Sequence, residues 1–193
     1  MDVFCETDRL LLRRFTDADA DELESLDADP AVMRFLNGGR PTPRDKIRLE
    51  VLPRFLSYYD RFPGLGVWAA LERSTGEFIG WFALSPREGG PPEGAEPGVY
   101  ELGYRLRREA WGKGYATEGS RALIRKGFHD YGVRRVIAQT MTVNTASRRV
   151  MEKCGLTYLR TFSEEWPETI EGTEQGDVEY ALDRTKFIDL SDC

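Results

Sequence analysis

The chain has 193 residues, of which 40% are hydrophobic, and its formal net charge is −6. This length is in the range of one domain with a sizeable core, so we expect a single domain over residues 1–193. No apolar run is long enough to span a membrane and the N-terminus has no basic segment followed by an apolar one, which predicts a cytoplasmic protein that does not insert into membranes.

Apolar periodicity and turn residues predict a mixed α/β fold. The predicted elements in chain order are a strand at 10–15, helices at 16–26, 29–36 and 42–59, a hairpin of strands 67–72 and 78–85, a strand at 100–106, a helix at 117–131, a strand at 135–141, a helix at 145–154, and strands at 156–163 and 177–183. Segments 87–98 and 164–176 are rich in Gly, Pro or acidic residues and are predicted to be loops. These elements predict one α/β sheet of about seven strands.

The cysteines and the only histidine exclude two classes of site. Cys5, Cys154 and Cys193 are odd in number, lie far apart and have no metal-ligand spacing, so free thiols and no metal site are expected. His129 lies near the end of a basic predicted helix with no nucleophile elbow nearby, which disfavours a Ser-His-Asp hydrolase.

A glycine turn at residues 111–118 connects the predicted strand 100–106 to the helix that follows. Gly112 and Gly114 let the backbone approach a ligand with its N–H groups turned inward, and the helix adds the positive end of its dipole. Residues 105–149 hold eleven Lys/Arg and three Asp/Glu, a surplus of +8, so the rest of the chain sums to −14. One basic patch around a glycine turn predicts a phosphorylated small molecule as ligand, and not a nucleic acid.

The spacing of this turn leaves more than one kind of site open. A Walker loop needs Gly-x-x-x-x-Gly-Lys-Ser/Thr, which is absent, and a dinucleotide fingerprint needs a third glycine where Thr117 stands. About a hundred residues precede the turn, whereas such a fingerprint usually lies in an early βαβ unit. An NAD-dependent oxidoreductase is therefore disfavoured, and a helix-entry turn without a ligand remains an alternative.

A second motif follows the predicted strand 135–141. Asn144 and Ser147 precede Gly155-Leu156 in the pattern Asn-x-x-Ser, seven residues, Gly-Leu. With Trp111-x-x-Gly114-x-Ala116, this spacing resembles the GNAT superfamily of acyl-CoA-dependent N-acetyltransferases, whose members carry Gln/Arg-x-x-Gly-x-Gly/Ala and Asn-x-x-Ala/Ser before Gly-Phe/Leu.

The amino-acid sequence of the two motifs is most similar to that of the RimJ/RimL-type branch of the superfamily. The resemblance covers roughly residues 6–187, and residues 7–13 and 177–182 look like the edge strands of this branch. It implies a GNAT-type fold, in which a mixed, mostly antiparallel sheet with a splayed central strand is flanked by helices. It also implies acetyl-CoA as co-substrate, with no metal.

The resemblance further implies where acetyl-CoA binds. The amides of residues 112–117 would take the pyrophosphate, and the end of strand 100–106 would bind the pantetheine arm and offer an N–H to the thioester oxygen. Asn144 would hydrogen-bond a pantetheine amide, with a helix N-cap as its other role. The implied cofactor-binding residues are Tyr104, Arg105, Leu106, Arg107, Gly112, Lys113, Gly114, Tyr115, Ala116, Thr117, Asn144 and Ser147. For Arg107, Arg108 and Lys113, a solvated basic turn is the alternative to pairing with phosphate.

Acetyl transfer also needs a base, because an aliphatic amine is mostly protonated at neutral pH. Glu101 lies on the same face of the predicted strand as Gly103 and on the face opposite Tyr104. The resembled branch often places an acid here that draws the proton through water, so we predict Glu101 as the base. Orientation of the substrate, or an ion pair with Arg105, is the alternative role.

The proton donor is where the sequence departs from the wider family. Many relatives carry a tyrosine seven residues after the Asn, where it protonates the leaving thiolate, and that position is Met151 here. Ser147 lies one helical turn earlier on the same face and is the predicted substitute, with bulk water as the alternative. Glu118, in the first turn of its helix, is expected to compensate the helix dipole rather than act in catalysis.

The sequence therefore predicts an N-acetyltransferase that moves an acetyl group from acetyl-CoA to a primary amine by direct attack in a ternary complex. The amine belongs to a protein N-terminus or to a small molecule, and the acidic charge outside the basic patch suits a cationic one. A catalytically silent acyl-CoA-binding regulator on the same fold is the alternative, supported by the missing tyrosine. A homodimer is compatible with the sequence.

Overall fold

The computed structural model describes residues 2–86, 97–163 and 170–188. Its strands are β1 (Val3–Glu6), β2 (Leu10–Arg14), β3 (Gly66–Glu72), β4 (Phe78–Ser85), β5 (Val99–Leu106), β6 (Arg135–Met141), β7 (Thr157–Phe162) and β8 (Asp177–Asp183). Its α-helices are α1 (Ala20–Asp27), α2 (Pro30–Asn37), α3 (Arg44–Lys46), α4 (Leu52–Arg61), α5 (Tyr115–Asp130) and α6 (Thr145–Lys153). No helix of this described part combines the length and the apolar character that a membrane crossing requires.

The strands form one sheet in the order β1-β2-β3-β4-β5-β6-β8-β7. Among the strands that the structure describes, only β5 and β6 pair in parallel, so the predicted mixed, mostly antiparallel α/β sheet is confirmed. The described residues contain eight strands where about seven are predicted. The additional one is β1, whose four residues alternate too briefly to be recognised in the sequence. The predicted loop at 87–98 falls largely, and that at 164–176 partly, outside the described residues.

The edge strands differ from the expectation. β1 covers the outer side of β2, and β8 lies between β6 and β7, so residues 7–13 and 177–182 do not form the edges. The burial of the strands explains the order: all seven residues of β8 are buried or half-buried, whereas five of the six residues of β7 are exposed. An apolar strand is stabilised in the interior of a sheet, and a polar strand tolerates its edge.

The two central parallel strands separate along their length. β5 pairs with β6 only through Val99, Tyr100 and Glu101, opposite Arg135, Val136 and Ile137. On its other side β5 stays paired with β4 as far as Leu106. From residue 102 to residue 106 the β6-facing backbone groups of β5 therefore lack a strand partner, and a ligand can use them. This is the splayed central strand that the resemblance implies.

The sheet separates two hydrophobic cores. The side chains of Leu102 and Leu106 pack on one face with residues of α5 and α6, which we call the α5–α6 face. The opposite, α1–α4 face packs against Leu23 and Leu26 of α1 and Phe55 of α4. Since side chains alternate along a strand, Tyr104 belongs to the α5–α6 face, and Glu101, Gly103 and Arg105 belong to the α1–α4 face.

The helix predicted at 42–59 is not a regular α-helix. α3 continues into a π-helical turn, Ile47–Val51, before α4 begins. Pro53 lies in the first turn of α4 and has no N–H to donate to the carbonyl four residues earlier, against which its ring would also clash. The wider i→i+5 turn relieves this clash without ending the helical stretch. Periodicity cannot reveal such a local change of pitch.

Candidate active site

A cleft of about 720 Å³ opens where β5 and β6 separate. Its walls come from the end of β5, the glycine turn and start of α5, the start of α6, the end of β6, and α2. The cleft is lined by nearly all residues that the sequence singles out: Glu101, Tyr104, Arg105, Leu106, Gly112, Gly114, Tyr115, Ala116, Thr117, Asn144 and Ser147. Two segments that are far apart in sequence are thus brought to one site.

The glycine turn has the backbone geometry that its sequence predicts. Gly112 and Gly114 have φ angles of 73° and 85°, in the left-handed region that other residues enter only with strain. α5 begins at Tyr115, two residues earlier than predicted, and Gly114 at its N-cap offers no capping side chain. The first N–H groups of α5 therefore have no side-chain cap. An uncapped helix N-terminus that lines a cleft attracts anions.

The turn between β1 and β2 fixes the start of α5. The Glu118 carboxylate accepts hydrogen bonds from Thr7 Oγ1 at 2.6 Å, from the Arg9 backbone N at 3.0 Å and from Arg9 Nε at 2.7 Å. Arg9 also donates to the carbonyl of Lys113 at 2.9 Å. Burial alone would raise the pKa of Glu118, but the hydrogen bonds from Thr7 and Arg9 outweigh it, and the pKa is lowered. We call these three residues, Thr7, Arg9 and Glu118, the turn clamp.

None of the three predicted phosphate-pairing residues lines the cleft, and Arg108 pairs with Asp29 at 3.7 Å. Arg107 is directed to α1, where it pairs with Glu22, and its guanidinium lies 5.4 Å from the ring centre of Phe78. Lys113 is exposed in the glycine turn and contributes its carbonyl to the turn clamp. The acidic residues of α1 are the physical reason for the orientation of Arg107, because they neutralise basic side chains that follow β5.

Arg105 lines the cleft, but its guanidinium is engaged elsewhere. It forms an ion pair with Asp27 of α1 at 2.5 Å and lies 5.2 Å from the ring centre of Trp81. Asp27 also accepts a hydrogen bond from Thr42 at 2.7 Å. Arg105 therefore joins β5 to the α1–α4 face, and its backbone remains the part available to a ligand. An ion pair between Arg105 and Glu101, one alternative from the sequence, is replaced by this pair with Asp27.

Sequence reasoning missed several residues that line the cleft. Arg149 and Lys153 extend along α6, four residues apart, and bring positive charge to the end near the glycine turn. Arg34 and Phe35 of α2 line the other end, together with Trp81, Gln139, Phe162 and Asp177. The helical spacing of Arg149 and Lys153 after Asn144 is a signal that the sequence offers. The contribution of α2 depends on tertiary packing and has no local signal.

Glu101 lies at the point where the strands separate. It is the last residue of β5 that pairs with β6, and its side chain lines the cleft on the α1–α4 face. The next residue on this face is Gly103, where a Cβ would come no closer than 3.6 Å to Trp81. Because Gly103 has no side chain, space remains between Glu101 and the opened part of the strand.

Asn144 and Ser147 begin α6. Asn144 Oδ1 accepts a hydrogen bond from the Ser147 backbone N at 3.2 Å, and Asn144 Nδ2 donates to Thr140 Oγ1 at 3.1 Å. Asn144 is thus the N-cap, which leaves one amide hydrogen and one acceptor site for a ligand. Met151, one turn after Ser147, is 2% exposed and belongs to the hydrophobic core. Its side chain has no proton to donate.

The hydroxyl of Tyr104 reaches Ser147 across the cleft floor. Tyr104 Oη lies 2.9 Å from Ser147 Oγ and 3.1 Å from the Ser147 carbonyl oxygen. Burial raises the pKa of Tyr104 well above its usual range, and the hydrogen bond to Ser147 lowers it less. The phenol is therefore neutral at any working pH. No feature of the sequence alone indicated this contact.

The described cysteines are not placed for covalent chemistry. Burial raises the pKa of Cys154 to about 11, and burial also raises the pKa of Cys5. Neither residue lines the cleft. His129 lies on α5 outside the cleft lining, with its ring centre 6.1 Å from that of Phe187. Thiolates are the nucleophilic form of cysteine, so these two residues do not offer an acyl acceptor at neutral pH.

Comparison with known proteins places this geometry in a family. The family model described as "Acetyltransferase (GNAT) domain" matches residues 9–157. The FsC-acetyl coenzyme A-N(2)-transacetylase of Aspergillus fumigatus is 37% identical over 168 residues, which are 84% of this chain and 68% of that protein. A GNAT-family acetyltransferase from Bacillus anthracis has a structure with a TM-score of 0.71 at 22% identity, covering 96% of this chain and 99% of its own.

The predicted RimJ/RimL-type branch is a separate question. The structure of RimL, a ribosomal L7/L12 alpha-N-protein acetyltransferase in complex with coenzyme A, matches with a TM-score of 0.74 at 18% identity, covering 95% of this chain and 98% of that one. A likeness at this identity shows the fold alone, so the branch stays a prediction. None of these relatives supports a catalytically silent regulator. The chain belongs to the GNAT family of acetyltransferases and is an acetyl-CoA-dependent N-acetyltransferase.

Proposed function

We propose that the protein acetylates the primary amine of a cationic small molecule by direct attack on acetyl-CoA in a ternary complex. The observation that carries the proposal is the continuous cleft, which runs from the glycine turn through the gap between β5 and β6 to Glu101. A thioester held in this gap is accessible from both faces of the sheet. The relative at 37% identity is named as an acetyl coenzyme A-N(2)-transacetylase, which supports transfer of the acetyl group to a nitrogen atom.

The residues of the cleft fit acetyl-CoA from one end to the other. The amides of the glycine turn and of the first turn of α5 would take the pyrophosphate. The backbone of residues 104–106 has no strand partner on the β6 side, so it would bind the pantetheine arm. Asn144 would bind a pantetheine amide with the hydrogen and acceptor site that its capping bonds leave. Arg149 and Lys153 would add charge near the phosphates.

The amine would approach from the α1–α4 face. The carboxylates of Glu101 and Asp177 line this part of the cleft, together with the aromatic rings of Phe35 and Trp81. Acidic groups attract an ammonium ion, and aromatic faces also favour cations. Glu101 would then accept a proton from the ammonium, directly or through one water molecule, and release the neutral amine for attack.

Direct attack is favoured over an acetyl-enzyme because the cleft lining contains no cysteine and the two described thiols have raised pKa values. The amine nitrogen would form a bond to the thioester carbon, and an N–H of the open β5 edge would stabilise the developing oxyanion. Steady-state rates measured against both substrates should give intersecting double-reciprocal lines. Parallel lines would contradict a ternary complex.

Calorimetric titration with acetyl-CoA, with NAD as the control, tests the cofactor site. We expect binding of acetyl-CoA and none of NAD. Release of free thiol should then be measured with spermidine, kanamycin, lysine methyl ester and a peptide with a free N-terminus. Turnover with a small-molecule amine supports the proposal. Turnover with the peptide alone would show that the acceptor is a protein N-terminus.

A substitution in the glycine turn tests the phosphate cradle directly. Gly114→Trp should abolish CoA binding, because the indole would occupy the space before the N–H groups of α5. Gly76→Trp is the matched control, since Gly76 has a similar φ of 76° but lies in the β3–β4 hairpin with open space around it. Affinity of Gly114→Trp equal to that of Gly76→Trp would contradict the cofactor assignment.

A further inference from the structure

We propose that Tyr104 is a positioning residue, which donates its hydroxyl hydrogen to Ser147 Oγ and so directs the Ser147 hydroxyl hydrogen to the thioester sulfur. This inference rests on the proposed function, because it assigns the sulfur of acetyl-CoA to the part of the cleft beside Ser147. The Ser147 hydroxyl, oriented by Tyr104, would then stabilise the leaving thiolate by a hydrogen bond, which the Met151 side chain cannot donate.

The geometry brings the two hydroxyl groups together from separate elements. Tyr104 lies on β5 after the strands separate, and Ser147 lies in the first turn of α6. Both line the cleft, and their hydroxyl oxygens are 2.9 Å apart, a normal O–H···O distance. The backbone N–H of Ser147 is held by Asn144, which fixes the start of the helix and with it the position of the serine.

The distribution of hydrogens follows from what each oxygen can do. The carbonyl of Ser147, 3.1 Å from Tyr104 Oη, is the acceptor of the next helical turn, so Ser147 Oγ is the closer and less occupied acceptor. A neutral phenol has one hydrogen to give, and giving it to Oγ leaves the serine hydrogen to point elsewhere. Because Ser147 lines the cleft, the proposal assigns that hydrogen to a ligand bound there.

The proton acceptor and the hydrogen-bond donor to the sulfur lie on opposite faces of the sheet. Glu101 lies on the α1–α4 face of β5, and Tyr104 with Ser147 lies on the α5–α6 face. An amine that enters beside Glu101 and a sulfur that leaves beside Ser147 would be on opposite sides of the thioester carbon. This arrangement suits an addition followed by departure of the thiolate.

The step balances without a buried phenolate. The C–N bond forms, the C–S bond breaks, and its electron pair stays on the sulfur, which accepts a hydrogen bond from Ser147 Oγ. The ammonium ion loses one proton to Glu101 before attack, and the nitrogen loses a second proton after the C–N bond forms. Both protons pass through Glu101 to solvent, and solvent returns one proton to the thiolate as CoA departs, so one proton is released per turnover. Tyr104 and Ser147 keep their own protons throughout, because ionising a buried phenol is unfavourable.

Titration of the thiol of bound CoA tests the proposal without any amine. Thiolate absorbance is followed against pH in the complexes of the wild type and of Tyr104→Phe, both saturated with CoA. A donor to the thiolate lowers the pKa of the thiol, so we expect this pKa to be about one unit higher in Tyr104→Phe. The charged groups that also line the cleft, from every element around it, are Glu101, Arg105, Asp177, Arg34, Arg149 and Lys153. They are the same in both proteins, so the difference isolates the hydroxyl.

Turnover in a double-mutant cycle is the second readout. With the best amine of the panel, Tyr104→Phe and Ser147→Ala should each lower kcat about tenfold, and the double variant should be no slower than Ser147→Ala alone. The Kd of acetyl-CoA should stay within about twofold. Tyr100→Phe is the control, since Tyr100 lies on the same face of β5 but outside the cleft lining.

Each result decides the question. Equal thiol pKa values in the wild type and Tyr104→Phe would overturn the proposal, and so would additive losses of kcat, which would mean that Tyr104 acts independently of Ser147. An unchanged or higher kcat in Tyr104→Phe would show that the serine hydrogen is normally given to the tyrosine. Loss of CoA affinity with a lower Tm would assign Tyr104 a structural role. A raised thiol pKa without turnover of any amine would support the inference and refute the proposed function.

Discussion

Glu101 combines two structural positions that rarely coincide. It is the last residue of β5 that pairs with β6, so its backbone is rigid, and its side chain lines the cleft where the strands begin to separate. Gly103, the next residue on the same face, leaves room for an amine beside it. A rigidly held carboxylate next to open space is the arrangement that a general base requires.

Glu101→Gln tests this role at the level of the single residue. The amide has nearly the same shape but accepts no proton, so we expect kcat to fall about 100-fold and to lose part of its dependence on pH. The affinity for acetyl-CoA should not change, because the phosphate and pantetheine sites lie elsewhere in the cleft. Glu77→Gln, an exposed residue before β4, is the control. Turnover equal to the wild type at every pH would remove Glu101 from the mechanism.

At the scale of elements, the start of α5 depends on the hairpin of β1 and β2. Thr7 and Arg9 place three hydrogen-bond donors around the Glu118 carboxylate, and Arg9 also holds the carbonyl of Lys113 in the glycine turn. The sequence predicts only that Glu118 compensates the helix dipole. In the structure it also holds the turn between β1 and β2 against the start of α5. It joins two elements that are more than a hundred positions apart in the chain.

The lowered pKa of Glu118 sets the direction of a pH effect. A carboxyl whose pKa is lower in the folded than in the unfolded state stabilises the fold above its ordinary pKa of 4.5, and the stabilisation disappears as the pH falls through the lowered value. We expect Glu118→Gln to be about 1–2 kcal/mol less stable at pH 7, with a difference that vanishes in strong acid. Urea unfolding across this pH range measures it.

The control for this experiment is at the other end of the same helix. Asp130 forms an exposed pair with Lys126, so Asp130→Asn should change the free energy of unfolding by less than about 0.5 kcal/mol. A difference for Glu118→Gln that persists unchanged in acid would mean that the substitution disturbs packing and that the charge of Glu118 is not what stabilises the turn.

The elements that could be predicted from the sequence are those whose signals are local. The glycine turn and the Asn144–Ser147 start of α6 each lie within a few residues, and both are found at the cleft. The strands β6 and β8 coincide with their predicted bounds, and the sequence of β8 alternates between polar and apolar residues. The backbone conformation of a turn or a helix N-cap is determined by residues within that segment, so a short motif is enough to predict it.

The contacts that could not be predicted join distant parts of the chain. Arg107 is taken by Glu22, which is 85 positions away, and Tyr104 meets Ser147 across 43 positions. The π-helical turn before Pro53 and the insertion of β8 between β6 and β7 also depend on tertiary packing. The sequence shows that basic residues cluster around the glycine turn. Which of them are available to a ligand depends on the tertiary contacts of each side chain.

At the scale of the whole molecule, part of the positive charge of residues 105–149 is neutralised by acidic residues elsewhere in the chain. Arg105 and Arg107 pair with α1, and Arg135 pairs with Asp183 of β8. Arg149 of this segment and Lys153, which follows it, line the cleft, so their positive charges are available to a ligand there.

This distribution predicts how salt and substitution affect CoA binding. Phosphates attracted by exposed side chains are screened by ions, so the Kd of CoA should rise as NaCl increases from about 0.05 M to about 0.5 M. The double variant Arg149→Gln, Lys153→Gln should raise the Kd about tenfold at low salt and make it less dependent on salt. Arg107→Gln removes one positive charge from the basic segment but should leave the Kd unchanged, because its guanidinium faces Glu22. The measurement is calorimetric titration of CoA into the wild type, the double variant and Arg107→Gln at both salt concentrations. A weaker affinity in Arg107→Gln alone would contradict the prediction and would show that the residues after β5 bind the phosphates.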